Sequence, residues 1–121
     1  MKGDFDEHIV GDFANTSYRN VKYFFKDNHN VKVIKGVFPH SVKSNIIDTD
    51  KFCFVHLDAD QYESTINALT FFYPKMVKRG VIVLDDINWL HGVDKAVNYF
   101  LSDKEETLIH SVEFQGYIIK K

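Results

Sequence analysis

At 121 residues, the chain is long enough for one domain with a hydrophobic core but short for a complete α/β enzyme. Its 15 basic and 17 acidic side chains nearly balance, and no basic run exceeds two residues, which argues against binding to nucleic acid or to an anionic membrane. One cysteine cannot form an internal disulfide, no apolar run approaches the roughly 18 residues that span a bilayer, and the polar N-terminus does not resemble a signal peptide. We therefore expect a cytoplasmic protein.

Residues 1–121 are predicted to form a single domain, in which residues 1–15 are an irregular polar segment. Thr16 or Ser17 can cap a following helix, and the apolar stripe of this helix is predicted to pack in the core. The stripe consists of Tyr18, Val21, Phe24 and Phe25. A short strand is predicted at 31–34, followed by Gly36, and the segment 41–50 is predicted to be a short helix or an irregular connection.

Two apolar strands, each leading into a pair of carboxylates, occupy the middle of the chain. The first, residues 52–57, leads to Asp58 and Asp60, and the second, an apolar run of four, leads to Asp85 and Asp86. The residues between them have the length of a helical crossover, so the strands should be parallel neighbours about 4.8 Å apart. The sequence therefore predicts that four carboxylates meet at one edge of a sheet.

The crossover itself is predicted to be a helix that Ser64 or Thr65 caps and that Pro74 kinks or restarts. Gly80 is expected to free the backbone for a turn into the strand at 81–84. The residues expected on the buried face of this helix are Ile66, Leu69, Tyr73, Met76 and Val77.

The C-terminal third contains one further helix and a predicted hairpin. A loop at 88–92 leads into a helix with a complete i, i+3, i+4, i+7, i+8 apolar stripe. This stripe is Val93, Ala96, Val97, Phe100 and Leu101. Strands at 107–112 and 117–119, joined by a tight link, are predicted to pair antiparallel. Alternating helices and strands that end in a hairpin predict a three-layer α/β sandwich.

The predicted carboxylate cluster indicates a metal site. Carboxylates that share one place raise one another's pKa, and a divalent cation removes that conflict. Mg²⁺ and Ca²⁺ prefer carboxylate oxygens, and ligands of open α/β sheets bind outside the carboxyl ends of the strands. The simpler interpretation is that Asp is common at strand ends as a turn and helix-cap residue. Two acidic pairs on successive strands favour the metal site.

Several motifs resemble the macrocin O-methyltransferase family, a branch of the class I S-adenosylmethionine-dependent methyltransferases. The central ones are His-Leu-Asp-Ala-Asp-Gln-Tyr-Glu-Ser-Thr, Phe-Phe-Tyr-Pro and Arg-Gly-Val-Ile-Val-Leu-Asp-Asp. From Gly11 onward the chain is also similar to the family in Gly-Asp-Phe-Ala-Asn-Thr-Ser, Gly-Val-Phe-Pro-His-Ser and Gly-Val-Asp-Lys-Ala-Val. The resemblance implies a Rossmann-like sheet and Mg²⁺-assisted methyl transfer from S-adenosylmethionine to a hydroxyl of a sugar or other small molecule.

The resemblance and the position of the motifs assign candidate site residues. The expected metal ligands are Asp58, Asp85 and Asp86, and the expected general base is Asp60. The expected contacts to the adenine of the cofactor are Gly36, Val37 and Phe38. The candidate contacts to the acceptor, for which packing is the alternative role, are Tyr62, Trp89 and His91.

The sequence departs from the class I pattern in its first part. Such enzymes begin with a strand, a glycine-rich turn, a helix and a second strand that ends in an acidic residue, and this sequence contains none of these. The strand predicted at 31–34 corresponds to the third strand of the family. We therefore expect a truncated sheet whose exposed edge is covered by a second copy or by a partner chain.

Two other functions are compatible with the sequence. A non-catalytic remnant, metal-binding or dimerising, would keep the carboxylates without binding S-adenosylmethionine. A phosphotransferase of the haloacid dehalogenase type fits Asp-x-Asp after an apolar strand, but it requires Thr or Val where Tyr62 stands and a lysine with longer spacing. His56 and Cys53, inside the first carboxylate strand, are predicted to be core residues.

Overall fold

A computed structural model describes residues 8–9, 11–43, 45–46 and 49–121. The remaining parts of the predicted N-terminal segment and of the 41–50 connection lie outside the described residues. The elements are α1 (Tyr18–Phe24), a 3₁₀ turn (His40–Val42), β1 (Phe52–Leu57), α2 (Tyr62–Phe72), a 3₁₀ turn (Tyr73–Lys75), β2 (Met76–Leu84), α3 (His91–Leu101), β3 (Ile109–His110) and β4 (Gly116–Ile119). Among the described helices, none combines the length and the apolar character that crossing a membrane requires.

The four strands form one sheet in the order β1-β2-β4-β3. β1 and β2 are parallel, with Leu57 opposite Leu84, while β4 pairs antiparallel with both β2 and β3. The backbone N–H of Asp85 donates to the carbonyl of Leu57 at 3.0 Å, so the parallel pairing continues just past the end of β2. The predicted parallel neighbours and the predicted C-terminal hairpin are therefore both confirmed.

The hydrophobic core lies between one face of the sheet and the helices α2 and α3. Alternation along β1 buries Val55 and Leu57, and the facing residues of β2, Ile82 and Leu84, are buried beside them. The predicted stripe of α3 is buried too, apart from the half-buried Leu101. Fully burying an aliphatic side chain of this kind contributes about 1.5–3 kcal/mol, so this layer is the main source of stability.

The crossover differs from its prediction at both ends. α2 begins at Tyr62, before the predicted cap positions, and its N-cap residue Gln61 makes no side-chain capping bond. Pro74 does restart the helix, but only as a single 3₁₀ turn, after which Met76 adopts extended backbone angles and begins β2. Met76 and Val77 are therefore strand residues, and their predicted place on the helix face is wrong.

The turn expected at Gly80 is made one residue earlier. Arg79 takes the positive φ of 66°, and Gly80 lies within β2 at a close approach to β1. A Cβ atom at Gly80 would stand 2.9 Å from the carbonyl oxygen of Val77 and 3.2 Å from that of Phe52. The glycine is needed here because the backbone of β2 itself, at Val77, and that of β1, at Phe52, leave no room for a side chain.

α1 forms where the sequence predicts it, but it does not pack in the core. Ser17 caps the helix by accepting a hydrogen bond from the backbone N–H of Asn20 at 3.2 Å. No residue of α1 is buried, and Phe24 is 77 % exposed. The strand predicted at 31–34 is also wrong, because these residues join no strand of the sheet. A β-strand requires a hydrogen-bonded neighbour, and β1 is the edge of this sheet.

Several side chains of β1 are exposed, although its sequence is mostly apolar. Phe54 is 59 % exposed, and Cys53 and His56 are exposed as well. The prediction that Cys53 and His56 are core residues is therefore wrong. The apolar run predicts a strand buried on both faces. It carries no information on which strand forms the edge of the sheet, and β1 is an edge strand here.

Candidate metal centre

The ends of β1 and β2 place four carboxylates around one cavity. Because the two strands are parallel and in register, Asp58 follows β1 directly beside the point where Asp85 follows β2. Asp60 and Asp86 then turn the chain, with φ of 58° and 59°. Asp is one of the few residues that adopt this left-handed conformation without large strain. The two turns direct both pairs of side chains to the same cavity of about 450 Å³.

Three of the carboxylates are close enough to share one ion. Oxygens of Asp58, Asp60 and Asp86 all lie within 4.8 Å of one another, and Asp85 lines the same cavity. Oxygens on opposite sides of one Mg²⁺ ion are about 4.2 Å apart, since each Mg–O bond is about 2.1 Å. The structure thus brings together the four carboxylates that the sequence predicts at this edge. The three whose oxygens lie closest together include Asp60, whereas the predicted set of metal ligands includes Asp85 instead.

Mutual proximity disfavours the ionised state of this cluster. Burial raises the pKa of Asp58, and its hydrogen bond to Asp60 and the charges of Asp60 and Asp85 raise it further. The pKa of Asp60 is raised by burial and by Asp86, and that of Asp86 by burial and by the charges of Asp85 and Asp58. A bound cation would remove the repulsion among these groups. The donor set therefore fits Mg²⁺ or Ca²⁺.

A segment near the N-terminus lies over the cluster, and sequence reasoning did not identify it. His8 places Nε2 3.6 Å from Oδ2 of Asp60 and Nδ1 3.3 Å from Oδ2 of Asp12. The ring of Phe13 packs edge-on against His8, with 5.2 Å between centroids, and both residues line the cavity. The segment has no helical or strand periodicity, so the sequence held no signal for this contact.

The three predicted acceptor contacts occupy different positions. Trp89 lines the cavity, is 61 % exposed, and packs against Phe114 with 4.7 Å between ring centroids. Tyr62 is the first residue of α2 and His91 the first residue of α3, and the described lining of the cavity contains neither. Of these three, the structure brings only Trp89 to the carboxylates.

The predicted cofactor contacts lie at the opposite end of α2 from the carboxylates. Phe38 stacks on Phe72, with 5.6 Å between centroids and 18° between planes, and meets the edge of Phe71. α2 begins near Asp60 and ends at Phe72, and a helix of that length spans about 15 Å. The structure therefore does not bring Phe38 to the cluster.

The other two predicted cofactor contacts are exposed or sterically constrained. Val37 is exposed, and Gly36 has a φ of 140°. A Cβ atom at Gly36 would stand 2.6 Å from Cβ of Ser41, which explains the glycine by packing alone. With no glycine-rich turn in the sequence, the described residues do not fit S-adenosylmethionine, whereas they do fit a divalent cation.

The chain matches one protein family over nearly its whole length. Residues 10–120 match the family described as Macrocin-O-methyltransferase (TylF). None of the curated proteins searched matches the chain. The family match favours the methyltransferase resemblance over the phosphotransferase alternative.

Solved structures of methyltransferases have the same fold. The chain is similar to the structure of the O-methyltransferase NovP, with a TM-score of 0.75 and 22 % identity over 99 % of this chain and 56 % of that one. It is also similar to CalS11, a TDP-rhamnose 3'-O-methyltransferase, with a TM-score of 0.51 and 16 % identity over 84 % of this chain and 37 % of that one. These likenesses confirm the predicted fold class, and the chain spans little more than half the length of NovP and little more than a third of that of CalS11.

Proposed function

Because this chain belongs to the macrocin O-methyltransferase family, we propose that it carries the metal-binding and acceptor-binding part of an S-adenosylmethionine-dependent O-methyltransferase. The observation that carries the proposal is the convergence of four carboxylates at the carboxyl ends of two parallel strands. The proposed acceptor is a hydroxyl of a sugar or other small molecule. A similar structure belongs to an enzyme that methylates a nucleotide-linked sugar, which supports this class of acceptor.

In this proposal Asp58, Asp85 and Asp86 hold Mg²⁺. The bound ion would supply Lewis-acid polarisation of the acceptor hydroxyl, which lowers the pKa of that hydroxyl. The remaining walls of the cavity are aromatic: Trp89 and Phe13 face the carboxylates. Aromatic side chains beside a polar group suit a sugar ring, because they cover its C–H faces while the hydroxyls reach the carboxylates.

Asp60 is the proposed general base. Its carboxylate lies within 4.8 Å of the oxygens of Asp58 and Asp86, so a hydroxyl held by those two residues is near a proton acceptor. A pKa raised by burial and by Asp86 makes Asp60 a stronger base than an isolated aspartate. Nε2 of His8 lies 3.6 Å from the carboxylate of Asp60. In its protonated form, the imidazole ring orients this carboxylate and stabilises the negative charge of Asp60.

The methyl donor needs surroundings that the described residues do not form. We propose that the free edge of β1 is covered in the active protein, by a second copy or by a partner chain. The exposed Phe54 on this edge supports the proposal, because an uncovered apolar edge strand is a pairing site. The molar mass in solution and the effect of Phe54→Lys on that mass test it: a strictly monomeric chain with full activity would contradict it.

A chimeric enzyme tests the function as a whole. The chain replaces the 56 % of NovP that it matches, so that the rest of that protein completes the fold. We expect methyl transfer that EDTA abolishes and Mg²⁺ restores. Asp60→Asn should lower kcat by about 10²- to 10⁴-fold at saturating Mg²⁺, as expected for loss of a general base, and should still bind Mg²⁺. Asp103→Asn, which removes an exposed carboxylate beyond the end of α3 and outside the lining of this cavity, is the control. A folded chimera that binds Mg²⁺ and S-adenosylmethionine but transfers no methyl group would contradict the proposal.

A second candidate function is a metal-binding module without catalysis. The observation that favours it is the position of Phe38, whose ring is stacked on Phe72 at the far end of α2 from the carboxylates. This alternative predicts Mg²⁺ binding without methyl transfer, both in the chain and in the chimera. The chimera therefore distinguishes the two functions directly.

A further inference from the structure

A second, larger cavity lies at α1, away from the carboxylate cluster. It has a volume of about 840 Å³, within the range of small-molecule sites, and is formed by α1 and the segment 25–33 that follows it. Its described lining contains four permanently charged cations and no carboxylate. The cations are Arg19, Lys22, Lys26 and Lys32.

The positive charge of this cavity is not neutralised within the described protein. Residues 16–35 hold five basic residues and one acidic residue, although the whole chain has a net charge of −2. In the part of the chain that the structure describes, none of the four cations forms an ion pair with a carboxylate. Cations gathered around one concave surface raise the local concentration of anions there.

Aromatic rings lie beside these cations. Nζ of Lys22 is 5.7 Å from the ring centroid of Tyr18, and Nζ of Lys26 is 4.6 Å from that of Tyr23. Both tyrosines line the cavity, and Tyr23 is 67 % exposed, so its ring is accessible to a ligand. The cavity thus offers flat apolar surfaces and ammonium groups a few ångströms apart.

We propose that this cavity binds a nucleoside diphosphate. The base stacks on a tyrosine ring, as bases do on exposed aromatic side chains, and the two phosphates pair with Lys22, Lys26 and Arg19. A simple anion would use the cations but not the rings, and an apolar ligand would use the rings but not the cations. A nucleoside diphosphate uses both, which is why this class fits best.

The position of the cavity extends the proposed function. Tyr18 lines the basic cavity, and Phe13 lines the carboxylate cavity. These two residues are five positions apart in the chain, so the distance between their Cα atoms is at most about 18 Å. If the proposed function holds, a sugar carried on the diphosphate could extend toward the carboxylates. The acceptor would then be a nucleotide-linked sugar, and the basic cavity would hold its nucleotide.

Calorimetric titration of uridine diphosphate into the chain tests the inference. EDTA is present, so that no metal ion on the carboxylates can capture the phosphates. We expect saturable binding tighter than about 1 mM, with uridine and pyrophosphate each at least about tenfold weaker. Lys22→Gln/Lys26→Gln should weaken binding at least about tenfold, since each lost phosphate contact is charge-assisted. Lys51→Gln/Lys78→Gln, which removes the same charge at exposed positions outside the cavity, should bind as the wild type does.

Several results would overturn the inference. Absence of saturation, unchanged binding by the Lys22→Gln/Lys26→Gln variant, or equal binding of pyrophosphate and uridine diphosphate would each do so. Binding of oligonucleotides that tightens with length would indicate a nucleic-acid surface and would also overturn it. The titration contains neither Mg²⁺ nor S-adenosylmethionine, so its failure would be distinct from a failure of the proposed methyl transfer. Urea unfolding of each variant verifies that the fold is retained.

Discussion

α1 and α3 arise from the same kind of sequence pattern and end in opposite environments. Both have apolar residues at helical spacing, yet α3 buries most of its stripe against α2 and the sheet, whereas α1 buries no residue. Spacing predicts that a helix forms, because it reports local geometry. Burial also requires a complementary surface, which the spacing of one segment cannot reveal. The two ends of the chain therefore contribute differently to the stability of the fold.

The largest expected difference in the free energy of unfolding is that between two Phe→Ala substitutions, one in α3 and one in α1. Phe100→Ala in α3 should lower the free energy of unfolding by about 3–5 kcal/mol, because it opens a cavity in the core. Phe24→Ala in α1 should change it by less than about 0.5 kcal/mol, because that ring is already in water. Urea unfolding measures both. A cost of several kcal/mol for Phe24→Ala would show that α1 is covered in solution.

An intermediate effect is expected at the carboxylates. Mg²⁺ at about 100 times its dissociation constant should stabilise the chain by about 2.7 kcal/mol, because only the folded state assembles the site. Asp85→Asn should abolish this stabilisation, whereas Asp27→Asn, beside α1, should keep it. Unfolding midpoints with and without Mg²⁺ provide the measurement. An unchanged response in Asp85→Asn, together with a lost response in Asp60→Asn, would exchange the proposed roles of those two residues.

The smallest expected change in the free energy of unfolding is that of Asp86→Asn in the metal-free protein. Asp86 has a pKa raised by burial and by its acidic neighbours, so the folded state binds more protons than the unfolded state between about pH 3.8 and the raised pKa. Its contribution to stability is therefore present at low pH and is lost as pH rises through the raised pKa. Asp86→Asn should stabilise the metal-free chain at pH 7 by less than about 1 kcal/mol. Asn also tolerates the left-handed backbone here, so the variant adds no strain.

The pH dependence of that variant is the check. Its stability advantage in EDTA should shrink as the pH is lowered, since the wild-type carboxylate becomes protonated and loses its repulsion. Urea unfolding from neutral to acidic pH measures the advantage directly. An advantage that grows toward low pH would mean that Asp86 is stabilised as the anion in the folded state, contrary to the account.

Features that depend on neighbouring parts of the sequence were predictable. The parallel pairing of the two carboxylate strands followed from the length of the crossover, and the stripe of α3 followed from its spacing. Ser17 was predictable as a cap because its side-chain oxygen reaches the N–H of Asn20 just beyond it in the chain. Such features are set by local geometry and by connection length.

Features that depend on distant parts of the chain were not predictable. His8 meets Asp60 across more than fifty residues, and no periodicity marks the segment that carries it. The exposure of Cys53 depends on which strand lies at the edge, and the place of Phe38 depends on its packing against α2. These outcomes are tertiary, and no local pattern in the sequence encodes them.

In our proposal these residues hold the metal ion but do not by themselves form the site of the methyl donor. One calorimetric experiment tests it most directly: Mg²⁺ is titrated into the chain first, and S-adenosylmethionine is then titrated into the Mg²⁺-saturated protein. We expect heat of binding in the first titration, absent in Asp85→Asn, and none in the second as long as the chain is monomeric. Micromolar binding of S-adenosylmethionine by the monomeric chain, or no binding of Mg²⁺, would contradict the proposal.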